Sequence, residues 1–133
     1  MPRPVCPPEE DIVRAIHSAQ WDRTANRKSS TIFKGEETSV SRLSILGLRE
    51  LFAIFHAKLD ESPNGIIVAV GQINIGDLQR IGRDYQHPID LTVEEDPQEE
   101  NPAHAVIPQE ITRGLARVII EALMIHDAEA PAP

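Results

Sequence analysis

The chain has 133 residues, 41% of them hydrophobic and 26% charged, which suits one domain around one core and excludes wholesale disorder. Its formal charge of −8 excludes a general nucleic-acid binder, since such proteins gain affinity by neutralising phosphates. The charge is uneven: residues 1–42 carry seven Lys/Arg against six Asp/Glu, so this third can still meet a small anion.

Residues 1–10 hold four prolines and read as an extended tail without a secretory leader, with Cys6 an incidental thiol. As the single cysteine, Cys6 also removes intramolecular disulfides and cysteine-built zinc sites, and a reducing, cytoplasmic setting is expected. A domain is expected over residues 11–126. It opens on a strand from Ile12, although the acids before it also suit a helix start. Asp22 to Ser30 is polar and basic and predicts an exposed loop, followed by a short strand at Thr31–Lys34 and a turn at Gly35–Glu37. The alternation of Thr38–Arg42 predicts a strand with Ser39 and Ser41 on one side and Val40 on the other. Leu48, Leu51, Phe52, Phe55 and Leu59 form the apolar stripe of a helix from about Ser44 to Leu59.

After a turn at Glu61–Gly65, the β-branched run Ile66–Val70 predicts a central strand buried on both faces. This is the longest apolar run, far short of the roughly 20 residues of a membrane helix. Asn74 can cap a helix through Ile81, with Gly82 placed to end it. Ile89–Val93 alternates as a half-buried strand with Asp90 and Thr92 toward solvent. Glu94 to Glu100 is acidic, and the proline-broken Asn101–Pro108 segment predicts a loop or a single turn. A last helix is expected from Pro108, with Ile111, Leu115, Val118, Ile119, Ala122 and Leu123 on one face, and a flexible tail over 127–133. The fold class is therefore α+β: a mixed or antiparallel sheet of about five short strands, covered mainly on one side by two long helices.

Familiar chemical motifs fail on inspection. Gly71–Asp77 lies between a strand and a helix, but Asp77 stands where a phosphate loop needs a cation. The five histidines show no metal-ligand spacing. Only a spatial convergence of His17, His104 and an acid such as Asp96 would make a metal site, so no metal and no cofactor are assigned. The more suggestive groups are polar residues at element ends: Arg14 with His17, Ser39 with Arg42, and the Asn101–His104 loop. If they converge, Arg14, His17, Arg42 and Asn101 would bind a ligand, Ser39 would position it, and His104 would transfer a proton. The plainer reading of the same residues is caps, turns and surface charges, and it takes precedence on sequence alone.

Arg14-Ala15-Ile16-His17, Ser39-Val40-Ser41-Arg42, Asp96-Pro97 and Asn101-Pro102-Ala103-His104-Ala105 together resemble a group of small bacterial proteins without an assigned activity. A looser similarity is to ADP-ribosyltransferase-type domains. That similarity implies Arg14 and Ser39 on two strands and an acid, for which Glu94, Glu95 and Asp96 are the candidates. Two functions follow as expectations. One is a binding or regulatory protein that contacts a partner protein or a small anionic ligand, with self-association compatible and no membrane partner. The alternative is an enzyme acting on a nucleotide-like substrate through Arg14, Ser39 and His104.

Overall fold

A computed structural model describes residues 3–128 and contains a six-stranded antiparallel sheet, a two-stranded hairpin and three helices. The strands are β1 (Asp11–His17), the hairpin β2 (Trp21–Asp22) and β3 (Arg27–Lys28), β4 (Thr38–Arg42), β5 (Ile67–Asn74), β6 (Glu94–Glu95), β7 (His104–Ile107) and β8 (Met124–Asp127). The helices are α1 (Leu48–Leu59), α2 (Ile75–Asp84) and α3 (Arg113–Glu121). The large sheet runs β6-β7-β4-β1-β5-β8. None of the helices is long and apolar enough to cross a membrane.

Both faces of this sheet are apolar, so both must be covered. Ile12 and Ile16 of β1, Val40 of β4 and Ala69 and Ile73 of β5 pack with Leu78 of α2 and Leu115, Ala116, Ile119 and Ile120 of α3. Val13 of β1 and Ile67 and Val70 of β5 pack instead with Leu51 and Phe55 of α1. The expected one-sided cover is thus replaced by α1 on one face and α2 with α3 on the other. The run after the 61–65 turn does bury both faces, but β5 is second from an edge, and β1 occupies the middle of the sheet beside β4.

Helix boundaries depart from expectation for local reasons. α1 begins after Gly47, later than the expected start at about Ser44, whose hydroxyl donates to Glu10 Oε1 at 2.7 Å. Gly82 does not end α2 but lies inside it. A Cβ there would fall 2.7 Å from Ile89 O, so the glycine permits the close passage of the following chain. Ile111 is held by two backbone bonds to Gly35, at 2.8 and 2.9 Å, and α3 therefore starts only after Thr112, whose hydroxyl accepts from Leu115 N–H. Val118 points outward at 43% exposure.

Other expectations change element type. Residues around Thr31 form a 3-10 turn capped by Ser29, and Ile32 and Phe33 enter the core from it. Ile89–Val93 is extended without a ladder partner. Its Leu91 and Val93 are buried, and Gln109 serves Thr92 at both the backbone N–H and the hydroxyl. The expected loop after Asn101 contains β7, paired on both edges, and the expected end of the last helix is β8. Cys6 is not on a mobile segment: it is 1% exposed, and its N–H donates to Val93 O at 2.8 Å. The 129–133 part of the expected C-terminal tail lies outside the described residues.

One ion-pair network ties the start of β1, the end of β4 and β6. Arg42 grips Glu10 through both oxygens at 2.8 and 2.7 Å, and its Nη1 donates to Glu95 Oε1 at 2.7 Å. Arg42 and Glu10 side chains are only 13% and 12% exposed. The Arg42 bonds hold the Glu10 carboxyl below its ordinary value. A glutamate in the unfolded chain titrates near about 4.3, so the network contributes fully above that pH and is lost as pH falls through the lower folded value. Glu10→Gln is expected to cost about 2 kcal/mol in urea unfolding at neutral pH. The gap from wild type should narrow as the pH falls below the unfolded value and close as it passes through the lower folded one.

Candidate functional site

β1 and β4 pair only at Ile12↔Arg42 and Val13↔Ser41 and then part. In β4, Arg42 N–H donates to Ala103 O and Leu43 N–H to Asp11 O, so alternate residues serve β7 and β1. Ser39 O therefore faces β1 across the gap, and Arg14 fills it: Nη1 donates to Ser39 O at 2.6 Å, while Nε donates to Ile32 O. A guanidinium thus replaces a ladder bond. Burial pushes it down to about 10, and no neighbouring carboxylate counters that effect. Arg14 stays charged at neutral pH. Its Nη2 has no protein partner, yet it is not among the fully buried unpartnered side-chain atoms of the described residues, so solvent reaches it.

Beside this gap lies a recess of about 270 Å³ on the α1 side of the sheet. Its floor is Val13, Ala15, Ser39 and Ser41, α1 contributes Ile54, Phe55, Lys58 and Leu59, and Gln98, Asn101 and His104 close the other side. Arg14 also lines it, and no carboxylate does. Lys58 ties α1 to the facing loop, with Nζ 3.4 Å from Gln98 Oε1 and 3.6 Å from Glu100 Oε2.

Asn101, 4% exposed, sets the shape of that loop. Its Nδ2 donates to Ser41 Oγ at 3.0 Å and its Oδ1 accepts from Ala103 N–H at 3.1 Å. Its backbone exchanges both hydrogen bonds with Gln98, and its carbonyl accepts from His104 N–H. The β4–β7 register places Ser41 opposite His104, so the two side chains share a face. His104 is 12% exposed, and its Nδ1 lies 2.9 Å from Asp96 O and 3.1 Å from Asp96 Oδ2. Both neighbours are acceptors, so Nδ1 carries a hydrogen, and in the neutral ring the lone pair sits on Nε2. Nε2 bonds to no described residue and is not fully buried.

Arg14, Ser39, Asn101 and His104 are therefore brought together, whereas His17 and Arg42 are not. His17 Nδ1 donates to Gly65 O at 2.8 Å at the far end of β1. Its convergence with His104 and Asp96 does not occur, and among the described residues no group of three metal-ligating side chains forms. Arg42 lies on the other face of the sheet from Ser39 and Ser41, with both edges of its guanidinium committed to Glu10 and Glu95. It has a structural role and no free fork for a ligand. Lys58 and Gln98 escaped the sequence reading, which raised the Asp96 contact to His104 only as part of a metal site with His17. Lys58 was findable, because it follows Phe55 of the recognised stripe by three residues, about one helical turn.

No family model, curated protein or solved structure matches the chain. The chemistry of the recess therefore rests on its own geometry. Asn101→Ala would leave Ser41 without its donor and Ala103 N–H without its acceptor in a buried setting, with an expected loss of about 1–3 kcal/mol. Urea unfolding monitored through Trp21 fluorescence measures it.

Proposed function

We propose that the chain is a small binding protein whose recess holds a small organic anion, its charged group on Arg14 and its apolar part on Val13, Ala15, Ile54 and Phe55. The observation that carries this reading is a recess that no carboxylate lines and that Arg14 borders from the β1–β4 gap, its guanidinium held there by Ser39 O and Ile32 O with no carboxylate partner among the described residues. An uncompensated charge taken out of water costs several kcal/mol, and a bound anion offsets that cost. In a chain of net charge −8, so local an absence of acids also favours anions over other guests. Lys58 and the hydroxyls of Ser39 and Ser41 supply further donors. The volume of about 270 Å³ lies just below the usual range of roughly 300–1,000 Å³ for ligand pockets, which favours a short carboxylate or phosphate ester over a dinucleotide. A thermal-shift screen of such anions should raise the melting temperature of the wild type. Arg14→Lys, which keeps the charge and loses the fork, should weaken the best ligand by about tenfold or more. A flat response from wild type across the panel would dismiss this reading.

A second reading is favoured by one observation, the pairing of His104 Nδ1 with Asp96, which orients Nε2 as a base. In this reading the recess supports proton transfer on a nucleotide-like phosphate ester, with Arg14 on the phosphate and Ser39 positioning it. Incubation with nucleoside monophosphate esters, followed by phosphorus NMR, should then show turnover that His104→Gln lowers by at least about a hundredfold. Equal rates in both proteins would leave the binding role alone.

A further inference from the structure

A second concavity, of about 490 Å³, opens on the other side of the sheet from α1, where the β2–β3 hairpin and the 3-10 turn at Ser30–Ile32 meet the first turns of α3. It gathers Arg27, Lys28, Lys34, Arg113 and Arg117 around a single acid, Asp22. None of these five cations forms an ion pair among the described residues; Arg3, Arg23, Arg42, Lys58 and Arg80 do, and the remaining unpaired ones, Arg14, Arg49 and Arg83, lie outside this lining. Five like charges held together around one acid repel one another, and they do so in a chain whose net charge is −8. Acids are plentiful elsewhere and scarce here.

The lining also indicates what would neutralise these charges. Apart from the five cations and Asp22, it consists of Ala19, Gln20, Ser29, Ser30 and Thr31, so no large apolar or aromatic side chain lines it. Ser29 and Thr31 offer hydroxyls beside the cations, although they also bond to each other at 2.7 Å. Trp21, the ring of the adjoining hairpin, is not part of the lining, and it is engaged by the Arg23 guanidinium at 4.5 Å and the Lys28 ammonium at 5.8 Å. A nucleobase therefore finds no stacking surface, the feature on which single-stranded nucleic-acid binding relies. A carboxylate or single phosphate would satisfy one or two of the cations. A linear chain of phosphates would satisfy all five. We propose that this concavity is an oligophosphate site, which recognises a triphosphate chain by charge and is indifferent to what the chain carries.

This site is separate from the Arg14 recess and does not depend on its occupant. Calorimetric titration of the full chain at low salt is the test, with inorganic tripolyphosphate and ATP as the two arms. Both should bind with affinities within about threefold of each other, and both should weaken steeply when NaCl rises from about 20 to about 200 mM. Arg113 and Arg117 are exposed and one helical turn apart, so Arg113→Gln with Arg117→Gln leaves the core untouched. This double variant should weaken tripolyphosphate at least about tenfold, while Arg49→Gln on α1 should leave it unchanged. If ATP alone binds, the chain is recognised through its base and the proposal fails. It fails equally if tripolyphosphate does not bind, if the double variant binds as wild type does, or if a single-stranded oligonucleotide binds more tightly than tripolyphosphate.

Discussion

The guanidinium of Arg14 in the gap between β1 and β4 is the contact from which the candidate site follows. Two strands that kept pairing past Val13 and Ser41 would have closed the sheet and left no recess. Because they part, Ser39 O and Ile32 O need donors, and a single side chain supplies both. The same substitution places a positive charge inside the domain where a backbone bond would have been neutral. The fold thus accepts an electrostatic cost at this one point, while its other enclosed cation, Arg42, is matched by two carboxylates.

The two concavities differ in what surrounds their charge. Arg14 is a single charge at the margin of a recess whose lining is mostly apolar. Arg113 and Arg117 are two of five cations that share one open concavity with a single acid, Asp22. They also lie on opposite faces of the sheet, one against α1 and the other against α3, and the two faces are covered by separate groups of apolar side chains.

How much of this was legible in the sequence depended on whether the signal was local. The strand from Ile12 and the opposite faces of Ser39 and Val40 followed from alternation, which depends only on neighbours. The stripe of α1 and the Asn74 cap of α2 followed from equally local rules, and the structure has both. What failed needed long-range partners. His104–Ile107 has four residues between prolines and no alternation of its own. It becomes a strand because β4 and β6 offer it two edges. Ile89–Val93 has the alternation but no free edge beside it, and side chains of Gln79 and Gln109 satisfy its backbone instead. In the candidate site, Arg14, Ser39, Asn101 and His104 stood out as polar groups at element ends. Arg42 and His17 carried the same local signal. Only the positions of Glu10, Glu95 and Gly65 separate a residue tied into the framework from one left available.

The N-terminal segment has a consequence for assembly. Val5 bridges to Glu94, and Glu95 N–H donates to Pro4 O, so a proline-bearing strap runs along the outer side of β6. Pro4 has no N–H to offer a further chain, and the strap covers the edge that β6 would otherwise leave open. At the opposite end β8 carries no such guard among the described residues. The two margins of the sheet are thereby unequal.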